Sequence, residues 1–288
     1  MKYHFMAAHC AEFQVRVMGR VLQVSVGGYY AWRQRGPSQQ ATANAGLSEQ
    51  VQAVHQASRQ TYGSRRVTAA LRAQGTVCNR KRVARLMRQL ALRGCDRRKR
   101  RPRTTQPDGT PAAAPNRLER NFSASAPNRT WVGDITYLDT DEGWLYLAAL
   151  EDVFSRKIVG WAMSDRINSA LVEAALRMAL GTRQPKPGLI HHTDQGRQYL
   201  STDYQDLLAA HHALVSLSRP GNCYDNAMSE SFWATLKSEC ATGPFATRAE
   251  ARTTIFEYIE VFYNRQRLHS ALGYRSPAQF ESDHLTVS

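Results

Sequence analysis

Three acidic side chains stand in contexts that suit a metal site. Asp134 lies in the middle of the strand-like run 131–138, where alternation places it on the same face as the core-type residue Val132. Asp194 directly follows a short apolar run, at the strand end where α/β sheets place their ligands. Glu230 lies in a helical segment with an apolar face. We therefore treat these acids as candidate metal ligands.

The chemistry of such a trio is that of a hard cation. Mg²⁺ prefers oxygen ligands and keeps several waters, so two or three carboxylates are enough to hold it. Two such ions can activate an attacking oxygen and stabilise the leaving oxygen of a phosphodiester. Taken singly, each acid also has an ordinary explanation as a salt-bridge partner, a helix cap or a surface residue. The hypothesis therefore depends on the context around all three.

The charge of the chain is unevenly distributed over its 288 residues. Residues 1–120 hold 23 Lys and Arg against 5 Asp and Glu, a balance of +18. Residues 121–288 hold 15 and 19, a balance of −4, and the two sum to the formal net charge of +14. This pattern indicates a nucleic-acid-binding part joined to a different kind of domain, since a generally basic solvated surface would leave both halves positive.

Composition excludes several classes of protein. A hydrophobic content of 42% with 22% charged residues is typical of a folded protein. No apolar run reaches the roughly 18 residues of a membrane span, and charged residues interrupt the N-terminus before it could form a signal peptide. The five cysteines form no C-x-x-C pair, which argues against a disulfide framework and a structural zinc site. We expect a cytoplasmic protein with no membrane partner.

A basic and Pro-rich stretch divides the chain. Residues 96–121 show no helical or strand period and predict a linker between a helical DNA-binding region, 1–95, and a catalytic region with a helical tail, 122–288. In the first region an apolar stripe at helical spacing, formed by Phe13, Val17, Val21 and Leu22, ends at Gly27-Gly28. Two short helices, 65–74 and 80–90, flank Gly75. The pair suits a helix-turn-helix, whose second helix presents basic residues to DNA phosphates: Arg80, Lys81, Arg82 and Arg85. A merely solvated basic face is the alternative.

The second region changes from helical to strand periodicity. Three successive strand-like runs separated by turns predict an antiparallel meander over 131–138, 144–154 and 157–163. Further strands are expected over 188–192 and 214–217, and helices over 169–181, 204–212, 225–240 and 250–263. The fold class is therefore α/β, a mixed sheet flanked by helices and preceded by a smaller helical domain.

Five long motifs carry a family resemblance. In order they are WVGDITYL, EDVFSRKIVGWAMS, HHTDQGRQY, SRPGNCYDNAMSESFWATLKSE and YNRQRLHSALGYRSPAQF. Together with two N-terminal segments they closely resemble the second-reading-frame (OrfB) transposases of bacterial insertion sequences, which have a retroviral-integrase-like core. The resemblance covers nearly the whole chain. It implies a DDE recombinase with an RNase-H-like catalytic domain.

The resemblance also implies roles for individual residues. Asp134, Asp194 and Glu230 would be the catalytic acids and the ligands of two Mg²⁺ or Mn²⁺ ions. Lys237 matches the family's basic residue seven positions after the glutamate, and two helical turns would place it on the same face, within reach of a DNA phosphate. A solvated lysine without a role is the alternative.

Other residues are weaker candidates. His192 is either a partner that orients a metal ligand or a strand-end histidine. Asn226 either positions substrate or helps to start the helix, and Arg267 belongs to a polar cluster that either holds DNA or braces the tail. Five basic residues of the linker are also expected to bind DNA: Arg97, Arg98, Lys99, Arg100 and Arg101.

The expected function is metal-dependent cleavage and strand transfer at the ends of an insertion sequence. The alternatives are a non-catalytic DNA-binding regulator or inactive remnant, and an RNase-H-type nuclease acting on RNA–DNA hybrids. The resemblance implies double-stranded DNA, both element ends and target, as partner, and the upstream-frame product or its frameshift fusion as a second one. It also implies a homo-oligomer on DNA, associated with the bacterial nucleoid. Because this chain matches the second frame only, we expect little end-specific transposition by it alone.

Overall fold

The computed structural model describes residues 1–95, 114–219 and 223–287. Contacts group the chain into two compact units, Met1–Gln52 and Ala53–Ser288. The predicted linker lies mostly outside the described residues, so the division into 1–95, 96–121 and 122–288 stays a prediction.

The first unit is helical. It contains α1 (Lys2–Ala8), α2 (Val15–Val21), α3 (Val26–Gln34) and most of α4 (Gln39–Ala57). Its small core is formed by Met6, Met18 and Tyr29, which are almost fully buried. Three members of the predicted stripe, Phe13, Val17 and Val21, are exposed, because α2 turns Met18 and Gly19 inward instead. The fourth, Leu22, is half-buried against the core.

The prediction that Gly27-Gly28 ends a helix was wrong. Both glycines lie in the first turn of α3. The Ser25 side chain accepts a hydrogen bond from the Gly28 backbone N–H at 2.8 Å, which is a helix N-cap. The glycines therefore follow a helix start, where a Ser cap outweighs the low helical propensity of glycine.

The helix pair expected after residue 60 is present. It consists of α5 (Ser64–Ala73) and α6 (Arg80–Gln89). Gly75 has a φ of +83°, a left-handed conformation that glycine adopts at little cost after a helix end. The Asn79 side chain caps α6 by accepting a hydrogen bond from the Lys81 N–H. The inward faces include Val67 and Val83, both fully buried.

A mixed five-stranded sheet forms the centre of the second unit, with the order β3-β2-β1-β4-β5. The strands are β1 (Thr130–Leu138), β2 (Leu145–Asp152), β3 (Ile158–Ser164), β4 (Ile190–Thr193) and β5 (Leu214–Leu217). β1, β2 and β3 pair antiparallel, which confirms the predicted meander. β4 pairs parallel with β1, and β5 pairs parallel with β4.

Helices cover the two faces of this sheet. α7 (Ser169–Arg183) and α8 (Thr202–Ala210) pack on the face that carries Trp131, Ala148 and Leu150. On the other face Val132 packs against Met228 of α9 (Ala227–Glu239). Because neighbouring residues of a strand face opposite sides, Asp134 lies on the α9 side together with Val132.

The C-terminal part is tied to the sheet and to α7. α10 (Arg248–Phe256) continues as a π-helix over Glu257–Tyr263, and α11 (Pro277–Val287) follows. Glu281 of α11 accepts two hydrogen bonds from Arg183 and one from the Ser155 hydroxyl, so the tail is tied to both α7 and the β2–β3 turn. None of the described helices is long and apolar enough to cross a membrane.

Candidate active site

Two of the predicted ligands are brought together by strand register. β1 and β4 pair in parallel, with Val132 opposite His192. Continuing that register by two residues places Asp134 level with Asp194, which directly follows β4. Both side chains are half-buried at the carboxyl end of β4.

Asp134 is held by two short hydrogen bonds. Its Oδ1 accepts from the backbone N–H of Ile135 at 2.8 Å, and its Oδ2 accepts from the indole Nε1 of Trp233 at 2.9 Å. Burial raises the pKa of Asp134 to about 7, and the negative charge of Asp194 adds to the rise. Hydrogen bonds from Ile135, Trp233 and Asn226 oppose it. The carboxylate is therefore fixed in position, and it forms no ion pair with a side chain of the described residues.

Asp194 has a similar environment. Its Oδ1 accepts a hydrogen bond from the backbone N–H of Gly196 at 3.0 Å. Burial raises the pKa of the Asp194 carboxyl, and the bond from Gly196 offsets part of the rise. Two buried carboxylates side by side favour protonation of one of them or the binding of a cation.

Glu230 stands apart from this pair. It lies in the first turn of α9, one turn before Trp233, and is exposed. Burial raises the pKa of Glu230, with no contribution from either aspartate. Among residues 1–95, 114–219 and 223–287, no group of three His, Cys, Asp or Glu side chains is placed to hold a metal ion. The structure thus brings together two of the three predicted ligands.

Lys237 lies beside an exposed aromatic pair. Its Nζ is 4.4 Å from the centre of the Tyr137 ring, a cation–π contact. Tyr137 in turn meets Trp144 edge-on, with ring centres 4.8 Å apart, and both rings are about half exposed. Lys237 is thus held next to Tyr137, two helical turns after Glu230 on α9.

The two strand-end histidines are buried and neutral. His192 Nδ1 lies 2.8 Å from the Ser216 hydroxyl, and its Nε2 lies 3.1 Å from the Ser218 hydroxyl and 3.0 Å from the Asp225 carbonyl. Burial lowers the pKa of His192, and it lowers that of His191 to about 3. His192 therefore connects β4 to β5 and to the segment that precedes α9.

Asp225 is a structural anchor that sequence reasoning missed. Its fully buried carboxylate accepts hydrogen bonds from Arg219 Nε at 2.8 Å, Arg120 Nε at 3.1 Å and Asn116 Nδ2 at 2.9 Å. Hydrogen bonds from Arg219 hold the pKa of Asp225 well below its usual range. The next residue, Asn226, hydrogen-bonds to Asp134, while its Oδ1 is buried without a hydrogen-bond partner. The anchor therefore fixes the start of α9 beside the aspartates.

Arg267 lies in a buried ion pair. Its Nε and Nη2 each donate to a carboxylate oxygen of Glu239 at 2.6 Å, and its side chain is only 3% exposed. Nearby, the Asn264 side chain exchanges two hydrogen bonds with the backbone of Ile158. This geometry favours the alternative in which the polar cluster braces the tail.

The basic residues predicted to bind DNA are placed only in part. On α6, Arg80, Lys81 and Arg85 are exposed and Arg82 is half-buried. The linker residues Arg97, Arg98, Lys99, Arg100 and Arg101 lie outside the described residues.

The aspartate pair has the donor atoms that a divalent cation requires. It supplies carboxylate oxygens, which Mg²⁺ and Mn²⁺ prefer, in a place where burial penalises two uncompensated negative charges. Glu230 is exposed on the same side of the sheet. The indole N–H of Trp233 orients Asp134 from α9. This role was not predicted, because the sequence shows only that Trp233 lies in a helix.

Comparison with known proteins establishes the family. Residues 42–101 match the HTH-like domain family, and residues 124–223 and 212–277 each match an Integrase core domain family. The chain is 46% identical over 288 residues to the transposase InsF for insertion sequence IS3A of Escherichia coli strain K12, which covers 99% of this chain and 100% of that protein. The chain belongs to the insertion-sequence transposases with an integrase core.

Two further similarities of this transposase were found. It is 46% identical over 264 residues to the insertion element IS600 uncharacterized 31 kDa protein of Shigella sonnei, covering 91% of this chain and 97% of that one. A solved structure, the HTLV-2 integrase catalytic core domain in complex with magnesium, matches with 16% identity and a TM-score of 0.40, over 55% of this chain and 99% of that one. The predicted transposase family and the predicted α/β fold, a mixed sheet flanked by helices after a helical domain, are confirmed.

Proposed function

We propose that this transposase cleaves and joins DNA by metal-dependent phosphoryl transfer, with Asp134 and Asp194 as ligands of Mg²⁺ or Mn²⁺ and Glu230 as the third ligand. The observation that carries the proposal is the aspartate pair. Two carboxylates from adjacent parallel strands are held side by side, and each has a raised pKa because burial disfavours its charge. A cation would remove that cost.

The proposed reaction has two displacements at phosphorus. A water oxygen attacks the phosphodiester at the element end, and the bond to the leaving 3′ oxygen breaks as the new P–O bond forms. The freed 3′-OH then attacks a phosphodiester of the target in the same way, so that no covalent intermediate with the protein is needed. Two bound metal ions would supply activation of the attacking oxygen and charge stabilisation at the leaving oxygen.

The protein's own groups would orient this reaction. Trp233 and the Ile135 N–H fix the two oxygens of Asp134, so the carboxylate need not reorganise when a metal binds. Lys237, held against Tyr137, would contact a DNA phosphate. His192 and Asn226 would act by holding the start of α9, rather than by contact with the reacting atoms.

DNA binding would also use the helical part. The exposed residues Arg80, Lys81 and Arg85 lie on α6, the second helix of the HTH-like pair, where they can meet phosphates. We propose element ends and target DNA as substrates, a homo-oligomer as the active form on DNA, and the upstream-frame product as a further partner. Co-purification of this chain with that product, with and without element-end DNA, tests the last point.

The catalytic proposal is tested with Asp134→Asn and a matched control, Asp206→Asn, an exposed aspartate on α8. Cleavage and joining of an element-end oligonucleotide should be abolished in the first and unchanged in the second, in Mg²⁺ and in Mn²⁺. DNA affinity and circular dichroism should be unchanged in both. Strand joining by the Asp134→Asn variant at the wild-type rate would show that the assignment is wrong.

A further inference from the structure

A polar cavity of about 250 Å³ lies on the flank of α9, apart from the aspartate pair. Its walls come from four places in the fold: α5 supplies Arg66, the β2–β3 region supplies Glu151 and Arg156, the segment after the π-helix supplies Arg267, and α9 forms the fourth wall. Ser231 contributes a hydroxyl from α9 itself. None of the residues proposed as metal ligands lines it.

The walls carry an excess of positive charge. Arg267 is matched by Glu239 through two hydrogen bonds of 2.6 Å, and Arg66 approaches the same carboxylate at 3.5 Å. The guanidinium of Arg156 makes no hydrogen bond to the described part of the chain. Burial raises the pKa of Glu151 to about 8, so this acid is uncharged at neutral pH. Three guanidinium groups thus face one charged carboxylate.

Glu151 is the strongest sign that the cavity has an occupant. Its side chain is 4% exposed, and its Oε2 is buried without a hydrogen-bond partner. A buried polar group is almost always paired, because leaving it unpaired forfeits the hydrogen bonds it makes in water. A protonated carboxyl can donate one hydrogen bond, so a suitable occupant is an acceptor.

The backbone of Arg156 supports a role for its side chain. Its φ is +62°, in the left-handed region, where glycine or asparagine is accommodated at lower cost than arginine. The turn itself is fixed by the Arg156 N–H, which donates to the Asp152 carbonyl at 2.8 Å. The turn therefore does not need an arginine, and what an arginine adds is a guanidinium at the cavity wall.

We propose that this cavity binds a phosphate group, with Arg156 and Arg66 as charged contacts and Glu151 as a hydrogen-bond donor. The planar guanidinium fork matches the oxygens of a phosphate, and the cavity has room for such a group with bound water. We favour the DNA backbone as the source of this phosphate group, a choice that rests on the proposed function. A phosphate held there would seat DNA against the flank of α9, the helix that carries Glu230 and Lys237.

The test compares the full-length protein with Arg156→Asn and a control, Arg177→Asn, an exposed arginine on α7. Inorganic phosphate is titrated calorimetrically, and its effect on the thermal unfolding midpoint is recorded. Arg156→Asn should weaken phosphate binding by about tenfold or more, as for loss of a charge-assisted hydrogen bond. Its stability without phosphate should not fall, because asparagine tolerates the left-handed turn, and Arg177→Asn should behave as the wild type. The proposal is overturned if the wild type shows no phosphate binding, or if Arg156→Asn binds phosphate equally well.

A second arm identifies the source of the phosphate. The affinity for duplex DNA is measured at several salt concentrations, and the logarithm of the binding constant is plotted against the logarithm of the salt concentration. Each phosphate contact contributes about 0.9 to the steepness of this line. A line that is less steep by about one in Arg156→Asn assigns the cavity to DNA. An unchanged slope with weakened inorganic phosphate binding supports the site and assigns it to free phosphate. If the wild type binds phosphate but cleaves no DNA, the proposed function fails while the cavity assignment stands.

Discussion

Glu151→Gln should change the pH dependence of stability. The Glu151 side chain is buried opposite Val132 in the β1–β2 pair. Burial raises the pKa of Glu151 from its usual 4.5 to about 8, and Asp152 adds to the rise while Arg156 opposes it. Between these two values the folded protein keeps a proton that the unfolded chain has released. Stability should therefore fall as the pH rises through this window.

The magnitude follows from linkage. Each pH unit inside the window costs about 1.4 kcal/mol, so the free energy of unfolding should lose about 3 kcal/mol between about pH 5 and about pH 7.5 from this group alone. Glutamine has nearly the same shape and does not titrate. We expect Glu151→Gln to match the wild type near pH 5 and to be more stable by about 3 kcal/mol near pH 7.5.

Urea unfolding of both proteins at the two pH values measures this difference. The buffers should contain no phosphate, which would occupy the proposed cavity beside Glu151. Glu49→Gln, at an exposed carboxylate, is the control and should show no such pH-dependent difference. A stability difference between wild type and Glu151→Gln that is the same at both pH values would show that folding does not raise the pKa of Glu151.

Three further substitutions test other parts of the structure. Trp233→Phe removes the hydrogen bond to Asp134 but keeps a ring, so unfolding in urea should show a loss of about 1 kcal/mol and calorimetry should show weaker Mn²⁺ binding. Arg267→Met leaves Glu239 buried without its bidentate partner, and a loss of about 3–5 kcal/mol is expected in urea unfolding; wild-type stability would contradict the pairing. Gly160→Ala would place a methyl group against the backbone of α7. The free energy of unfolding should fall by about 1–3 kcal/mol, and the thermal midpoint should fall with it.

The sheet was predictable because its signals are local. The run 131–138 is rich in β-branched and aromatic residues and ends at turn residues, and the structure forms β1 over Thr130–Leu138. The short apolar run 214–217 is β5 with the same bounds. Asp194 was visible as the residue that follows a strand, a position that places ligands at the sheet edge in α/β proteins.

Features that depend on tertiary packing were not predictable. The bond from Trp233 to Asp134 joins residues 99 positions apart and depends on how α9 is rotated against the sheet. The helical spacing of Phe13 and Val17 predicted an apolar stripe, but spacing does not show whether another element covers it. In the structure both side chains are exposed. Likewise Glu151 is a charged residue type that the sequence alone would place in solvent. Its burial follows from its pairing opposite Val132, on the face of the sheet where Val132 packs against α9.

The proposed metal site is tested most directly by the anomalous scattering of crystals of this transposase grown with Mn²⁺. We expect an ion bound by carboxylate oxygens of Asp134 and Asp194, with Glu230 joining as a ligand, and loss of that ion in Asp134→Asn. Crystals with Mn²⁺ in excess, an ordered aspartate pair and no ion between the two carboxylates would contradict it.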